Sequence, residues 1–254
     1  KDDDAECLEQ EPARTVAAHY ENHAWNVDFT VVPIRGGLWA ALSPFAWLQQ
    51  WPFCWWVAIA EDMFSRKVMG FAVFKKHPSS QDAQEFLERV IDAVGHAPKY
   101  LVPDQDTAFT AKGFRETWCK RHGITPRFGA VGRYGSIAVV ERFNRTLKHE
   151  GLLLITVPFA FDNMRTETQL IVEYYNRFRP NQGLNGRTPD EVYFDREPAN
   201  EKPRWETRPR WPRDSGCAVP YAPVRGNCGA RLALDVSLLE GRKHLPIFEL
   251  RKVA

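Results

Sequence analysis

Residues 24–34 read AWNVDFTVVPI, a run of Trp, Val, Phe and Thr typical of a β-strand, with Asp28 at its centre. A carboxylate in an apolar strand is costly to bury unless its charge is compensated. A divalent metal is one compensation, because hard cations such as Mg²⁺ prefer carboxylate oxygens. An arginine partner or a capped backbone group is the alternative.

Two further strands follow, CWWVAIAEDM (54–63) and KVMGFAVF (67–74), joined by a polar turn at Ser65-Arg66. Three consecutive apolar strands predict a meander buried against helices. Ser79-Ser80 then offers an N-cap, and Ala83, Phe86, Leu87, Val90, Ile91 and Val94 recur at helical spacing. A short strand, KYLVP (99–103), ends directly at Asp104. A helix is expected over 111–122, a strand at ITPRF (124–128), and a helix from about Ser136 past Lys148. Gly129, Gly132 and Gly135 mark the loop before it as mobile. Another helical stretch covers about 161–178.

Composition fits a soluble globular protein: 254 residues, 44% hydrophobic, 26% charged, with a formal net charge of only +2. The charge is unevenly spread. Residues 1–12 hold six acids against Lys1, whereas residues 120–150 hold seven bases against Glu141 and Glu150. A local basic patch suits phosphate binding, with a solvated, salt-bridged surface as the plainer alternative. Five scattered cysteines are an odd number and suit free thiols in a reducing cytoplasm. The uncharged stretch 36–60 is long enough to span a bilayer, but Pro44 and Pro52 would break such a helix. Because the first residue is Lys, further chain is expected upstream.

The organisation expected is an acidic lead-in (1–20), a catalytic core (21–195), a Pro- and Arg-rich linker (196–215) and a small β-rich carboxy-terminal unit (216–254). On the helix around 141, Glu141, Arg145 and Lys148 are spaced i, i+4, i+7 and share one face, with Val140, Phe143 and Leu147 on the other. That face sets a carboxylate beside two cations, an arrangement for a metal next to phosphates. A surface Glu–Arg pair would look the same, and would contribute only about 0.3–0.5 kcal/mol.

Five segments now stand in order: VDFTVVP (27–33), EDMFSRKVMGF (61–71), VPDQDTAFT (102–110), GSIAVVERFNRTLKHE (135–150) and YYNRFRPNQGLNGRTPDEVYF (174–194). Together they resemble the catalytic core of DDE transposases and retroviral-type integrases over about residues 21–195. Asp104 and Phe109 match the second acidic motif. Ala138, Glu141, Phe143, Leu147 and Lys148 match the third, with the phenylalanine one position early. Thirty-six residues separate Asp104 from Glu141, near the thirty-five usual in the group. Tyr175, Asn176, Arg179, Pro180, Thr188, Pro189 and Glu191 match the group's carboxy-terminal signatures.

The resemblance implies an α/β, RNase H-like fold: a mixed five-stranded sheet flanked by helices. It implies a DNA transposase/integrase that cuts and joins DNA strands by two-metal phosphoryl transfer. Asp28, Asp104 and Glu141 would be catalytic and would hold two Mg²⁺ (or Mn²⁺) ions. Arg133, Arg142, Arg145 and Lys148 would contact DNA. The partners implied are double-stranded DNA, as element ends and target, and further copies of the chain; the location implied is the cytoplasm, at the nucleoid. Two other readings share these features, a nuclease that only hydrolyses and a decayed or domesticated DNA-binding derivative. One departure bears on activity. Asp106 stands where the family usually has glycine, and a tight turn there would force it toward positive φ.

Overall fold

The computed structural model describes residues 17–34, 49–104, 106–128, 138–201 and 231–253, with backbone only at 138–141, 154 and 231. Residues 1–16 of the acidic lead-in, most of the aromatic stretch 37–52, the glycine loop 129–135 with Arg133, and most of the linker lie outside the described residues. The chain divides into two compact units, Lys1–Asp195 and Arg196–Ala254.

The apolar runs form the expected meander. Strands β1 (Ala24–Pro33), β2 (Cys54–Asp62) and β3 (Val68–Phe74) pair antiparallel in sequence. β4 (Tyr100–Pro103) adds to the other side of β1 in parallel, and β5 (Thr125–Pro126) adds to β4, giving the order β3-β2-β1-β4-β5. The mixed five-stranded sheet of an RNase H-like fold is therefore present. β5 is shorter than ITPRF suggested. Pro126 has no N–H to give, and the ladder beyond it keeps only the Arg127 N–H to Leu101 carbonyl bond, 2.7 Å.

Side chains alternate between the faces of a strand. Trp25 and Val27 of β1 and Ala58 and Ala60 of β2 point to one face, where they meet Ala83, Phe86, Leu87 and Val90 of α1 (Ser80–Val94). These four recur at i, i+3, i+4, i+7, so one stripe of the helix is buried. Burying each of the larger ones contributes about 1.5–3 kcal/mol. A reciprocal Ser79–Asp82 capping box starts α1, and Gly95, at φ 90°, ends it in the left-handed conformation. Gly70 of β3 lets the helix approach, since a Cβ there would lie 2.6 Å from Val90 Cγ2.

The helix expected at 111–122 is interrupted. Asp106 caps a separate short helix, α2 (Thr107–Thr110), and Ala111 is extended (ψ 136°). The chain then turns in wide π-type geometry over Gly113–Trp118 before α3 (Cys119–Arg121). Phe114 and Trp118 are buried, as their helical spacing implied.

The opposite sheet face receives α4 (Ala138–Arg145) and α5 (Phe161–Arg177). α4 runs on past Lys148 in π-type turns to Gly151. Phe143 and Leu147 are fully buried, and the Phe143 ring meets Tyr175 of α5 edge-on at 4.7 Å. A last short helix, α6 (Pro189–Tyr193), closes the unit. No helix among the described residues is long and apolar enough to cross a membrane, and residues 54–60 of the uncharged stretch lie in β2.

The second unit contains an antiparallel pair, β6 (Arg231–Leu238) and β7 (Pro246–Val253). Leu232, Leu234, Val236 and Leu238 alternate along one exposed face of β6.

Candidate active site

Asp28 and Asp104 meet because β1 and β4 run parallel in register. Val27 pairs with Pro103, and the Asp104 amide donates to the Val27 carbonyl at 3.3 Å. The next step along both strands sets Asp28 beside Asp104, across a spacing of about 4.8 Å between strands. Asp28 is half-buried and Asp104 is exposed at the strand end.

The Asp28 carboxyl is pushed up to about 6, first by burial and then by the negative charge of Asp104. Three groups oppose the shift: the Phe29 amide, which donates to Oδ1 at 2.8 Å, the Asn144 side-chain amide, and the Lys148 ammonium. Among the described residues no arginine pairs with Asp28, so a guanidinium partner does not account for its charge.

Asn144 Nδ2 donates to Asp28 Oδ2 from α4, and thereby docks that helix on β1. Glu141 lies on α4 three residues earlier, one turn from the residue that touches Asp28; its side chain is outside the described residues. Lys148 is half-buried. Burial lowers the pKa of its ammonium, and the nearby Asp28 raises it. Arg142 and Arg145 are exposed. Arg142 reaches toward the Gly183 turn and contributes positive potential at Glu61. Among the described residues no group of three His, Cys, Asp or Glu side chains is placed to hold a metal; the described acids of the site are Asp28 and Asp104.

The integrase core domain family matches residues 18–134, and a second family of the same description matches 122–189. The chain carries an integrase core domain. Its fold is similar to that of a chain in the cryo-EM structure of a simian T-cell lymphotropic virus intasome in complex with PP2A regulatory subunit B56 gamma. That match has a TM-score of 0.54 at 17% identity and covers 96% of this chain and 73% of that one. The catalytic core domain of BIV integrase matches at TM-score 0.48 and 22% identity, over 68% of this chain and 95% of that one. The HTLV-2 integrase catalytic core domain in complex with magnesium matches at 0.49 and 20%, over 68% and 97%. No curated protein sequence matches.

Within the integrase core, the carboxy-terminal signature residues act as staples. Asn176 binds both the amide and the carbonyl of Val68, each at 2.9 Å, and so closes the start of edge strand β3. Arg179 grips Glu150 through Nε and Nη2 at 2.6 and 2.8 Å. Thr188 and Glu191 form a capping box around Pro189 at the start of α6. Tyr175 donates to Glu61 Oε1 at 3.4 Å and accepts from Asn181.

Sequence reading missed two features of the site. Asn144 went unremarked, although it lies at i+3 from Glu141. Glu61 is fully buried opposite Asn26, and burial pushes its carboxyl well up. Among the described residues, its Oε2 and both polar atoms of the Asn26 side chain have no hydrogen-bond partner. The signal for Glu61 was its period-2 phase with Val57 and Ile59, which point inward. The strain expected at Asp106 is absent. Its φ is −65°, an ordinary extended conformation, and its side chain caps α2 by accepting from Ala108 N at 2.8 Å.

Proposed function

We propose that this chain is a DDE-type transposase/integrase that cleaves DNA strands and joins their 3′-hydroxyl ends to target DNA by metal-dependent phosphoryl transfer. The observation that carries this reading is the placement of Asp28 and Asp104 side by side, with the Glu141 helix tied to Asp28 through Asn144.

The donor set fits hard divalent cations. Two neighbouring carboxylates repel one another, and burial adds to the cost of ionising Asp28, so a divalent cation facing the pair would offset both. Asp28, Asp104 and Glu141 would hold the two Mg²⁺ or Mn²⁺ ions between them. Ions held there supply Lewis-acid stabilisation of the attacking and leaving oxygens of an in-line displacement. Asn144 holds Asp28 in one orientation, and the Phe29 amide fixes its other oxygen. Lys148, Arg145 and Arg142 would neutralise phosphates of the DNA end, with Arg133 supplying a further contact. Double-stranded DNA, as element ends and target, is the substrate. Joining two ends calls for at least two copies of the chain, a reading supported by the fold's likeness to a chain in an intasome.

The test is incubation of the purified chain with a labelled element-end duplex and a target duplex, with Mg²⁺ or with a chelator. Slower-migrating joined products that need Mg²⁺, and vanish in Asp104→Asn and Glu141→Gln, are the expected result. Cleavage without joining would assign a hydrolysing nuclease instead. Binding without either would assign a decayed DNA-binding derivative.

A further inference from the structure

His77 lies between β3 and α1, outside every motif that identifies the core, yet it touches the neighbourhoods of both acids. Its Nε2 is 2.7 Å from Asp106 Oδ2. An ionised carboxylate can only accept, so the ring donates from Nε2. The other Asp106 oxygen accepts the Ala108 amide. The Asp106 carboxylate therefore ties the loop just after Asp104 both to the start of α2 and to His77.

On its other side the His77 ring packs edge-on against Trp56 (4.6 Å) and Phe29 (6.0 Å). Phe29 follows Asp28, donates its amide to that carboxylate, and stacks its ring on Phe109 of α2 at 4.7 Å. The contacts close a circuit: His77 to Asp106, through α2 to Phe109, to Phe29, and back to His77. The circuit borders the strand position of Asp28 and the loop position of Asp104. A hydrogen bond this exposed (41% and 21% of the side chains) contributes little to folding, so its effect lies in what it holds in place. The family's usual glycine at 106 could not supply this link.

We propose that His77 is a positioning residue: through Asp106 and Phe29 it fixes the relative placement of Asp104 and Asp28, and so sets how tightly the pair holds a divalent cation. The proposal rests on the metal-holding reading of these two acids. It is specific to this chain's pairing of His77 with Asp106.

The test is Mn²⁺ titration of the full chain without DNA, followed by electron paramagnetic resonance, with thermal unfolding run on each variant. His77→Phe keeps an aromatic ring against Phe29 and Trp56 and loses the donor; its Mn²⁺ affinity should fall about tenfold, the scale of lost outer contacts to metal ligands. His77→Gln restores a donor toward Asp106 and should recover most of that loss. Asp104→Asn serves as the reference and should lose the site. Wild-type affinity in His77→Phe, alongside loss in Asp104→Asn, overturns the positioning role and leaves the metal reading standing. Wild-type affinity in Asp104→Asn overturns the metal reading and this proposal with it.

Discussion

Asn144 on α4 donates its side-chain amide to Asp28 on β1, so one hydrogen bond joins the helix that carries the third acid to the strand that carries the first. Removing it leaves a half-buried carboxylate short of a donor and frees the helix to shift. Asn144→Ala should lower Mg²⁺-dependent joining about 10–100-fold, as losses of groups that orient metal ligands do. Circular dichroism should report an unchanged fold. Wild-type joining rates in this variant would remove Asn144 from the site.

Glu61 supplies a pH signature. Its folded-state pKa lies well above the ordinary glutamate value, chiefly through burial. Between those two values the native state holds a proton that the unfolded chain has released, so stability falls as pH rises through that window. Glu61→Gln removes the titrating group and keeps the shape. The melting temperature of the variant should exceed that of the wild type at pH 8 by more than at pH 5. An equal difference at both values would mean that Glu61 is not held protonated in the fold.

The edge of the sheet depends on Asn176, which occupies both the amide and the carbonyl of Val68. Asn176→Ala strips two bonds from a buried backbone unit, at about 1 kcal/mol each or somewhat more. Denaturant unfolding should show a loss of about 2–3 kcal/mol. A loss under half of that would show that other groups take over the Val68 pairing.

Gly70 tests the packing of α1 on β3. Its substitution by Ala sets a methyl 2.6 Å from Cγ2 of Val90, a β-branched side chain with little rotamer freedom in a helix. Overpacking of this kind costs about 1–3 kcal/mol. Thermal unfolding should register that loss, and an unchanged melting temperature would show that α1 can move away freely.

Lys148 should act on DNA binding. Lys148→Ala is expected to weaken binding to end and unrelated duplexes alike. It should also reduce the slope of log affinity against log salt by about 1, the signature of a lost phosphate contact. Fluorescence anisotropy over a salt series reads both effects. An unchanged slope would contradict the assignment.

Much of this was legible in the sequence because local rules and burial agreed there. The apolar run around Asp28 could only be a buried strand, and the capping signal at Ser79 matched the helix that follows it. Asp104 was readable because a short apolar strand ends directly before it. What was not legible depended on contacts far apart in sequence. Asn144 reaches Asp28 across 116 positions and Asn176 reaches Val68 across 108, and no local pattern marks either. The conformation at Asp106 misled for a related reason. The glycine usual there suggested strain, whereas Asp106 keeps an ordinary backbone and finds partners in Ala108 and His77.

The account stands on Asp28, Asp104 and Glu141 converging on bound cations, and anomalous diffraction from crystals of this chain soaked in Mn²⁺ measures that directly. The account predicts manganese peaks bounded by carboxylate oxygens of all three residues. Peaks elsewhere, or a Glu141 carboxylate turned away from a metal held by the two aspartates, would contradict it.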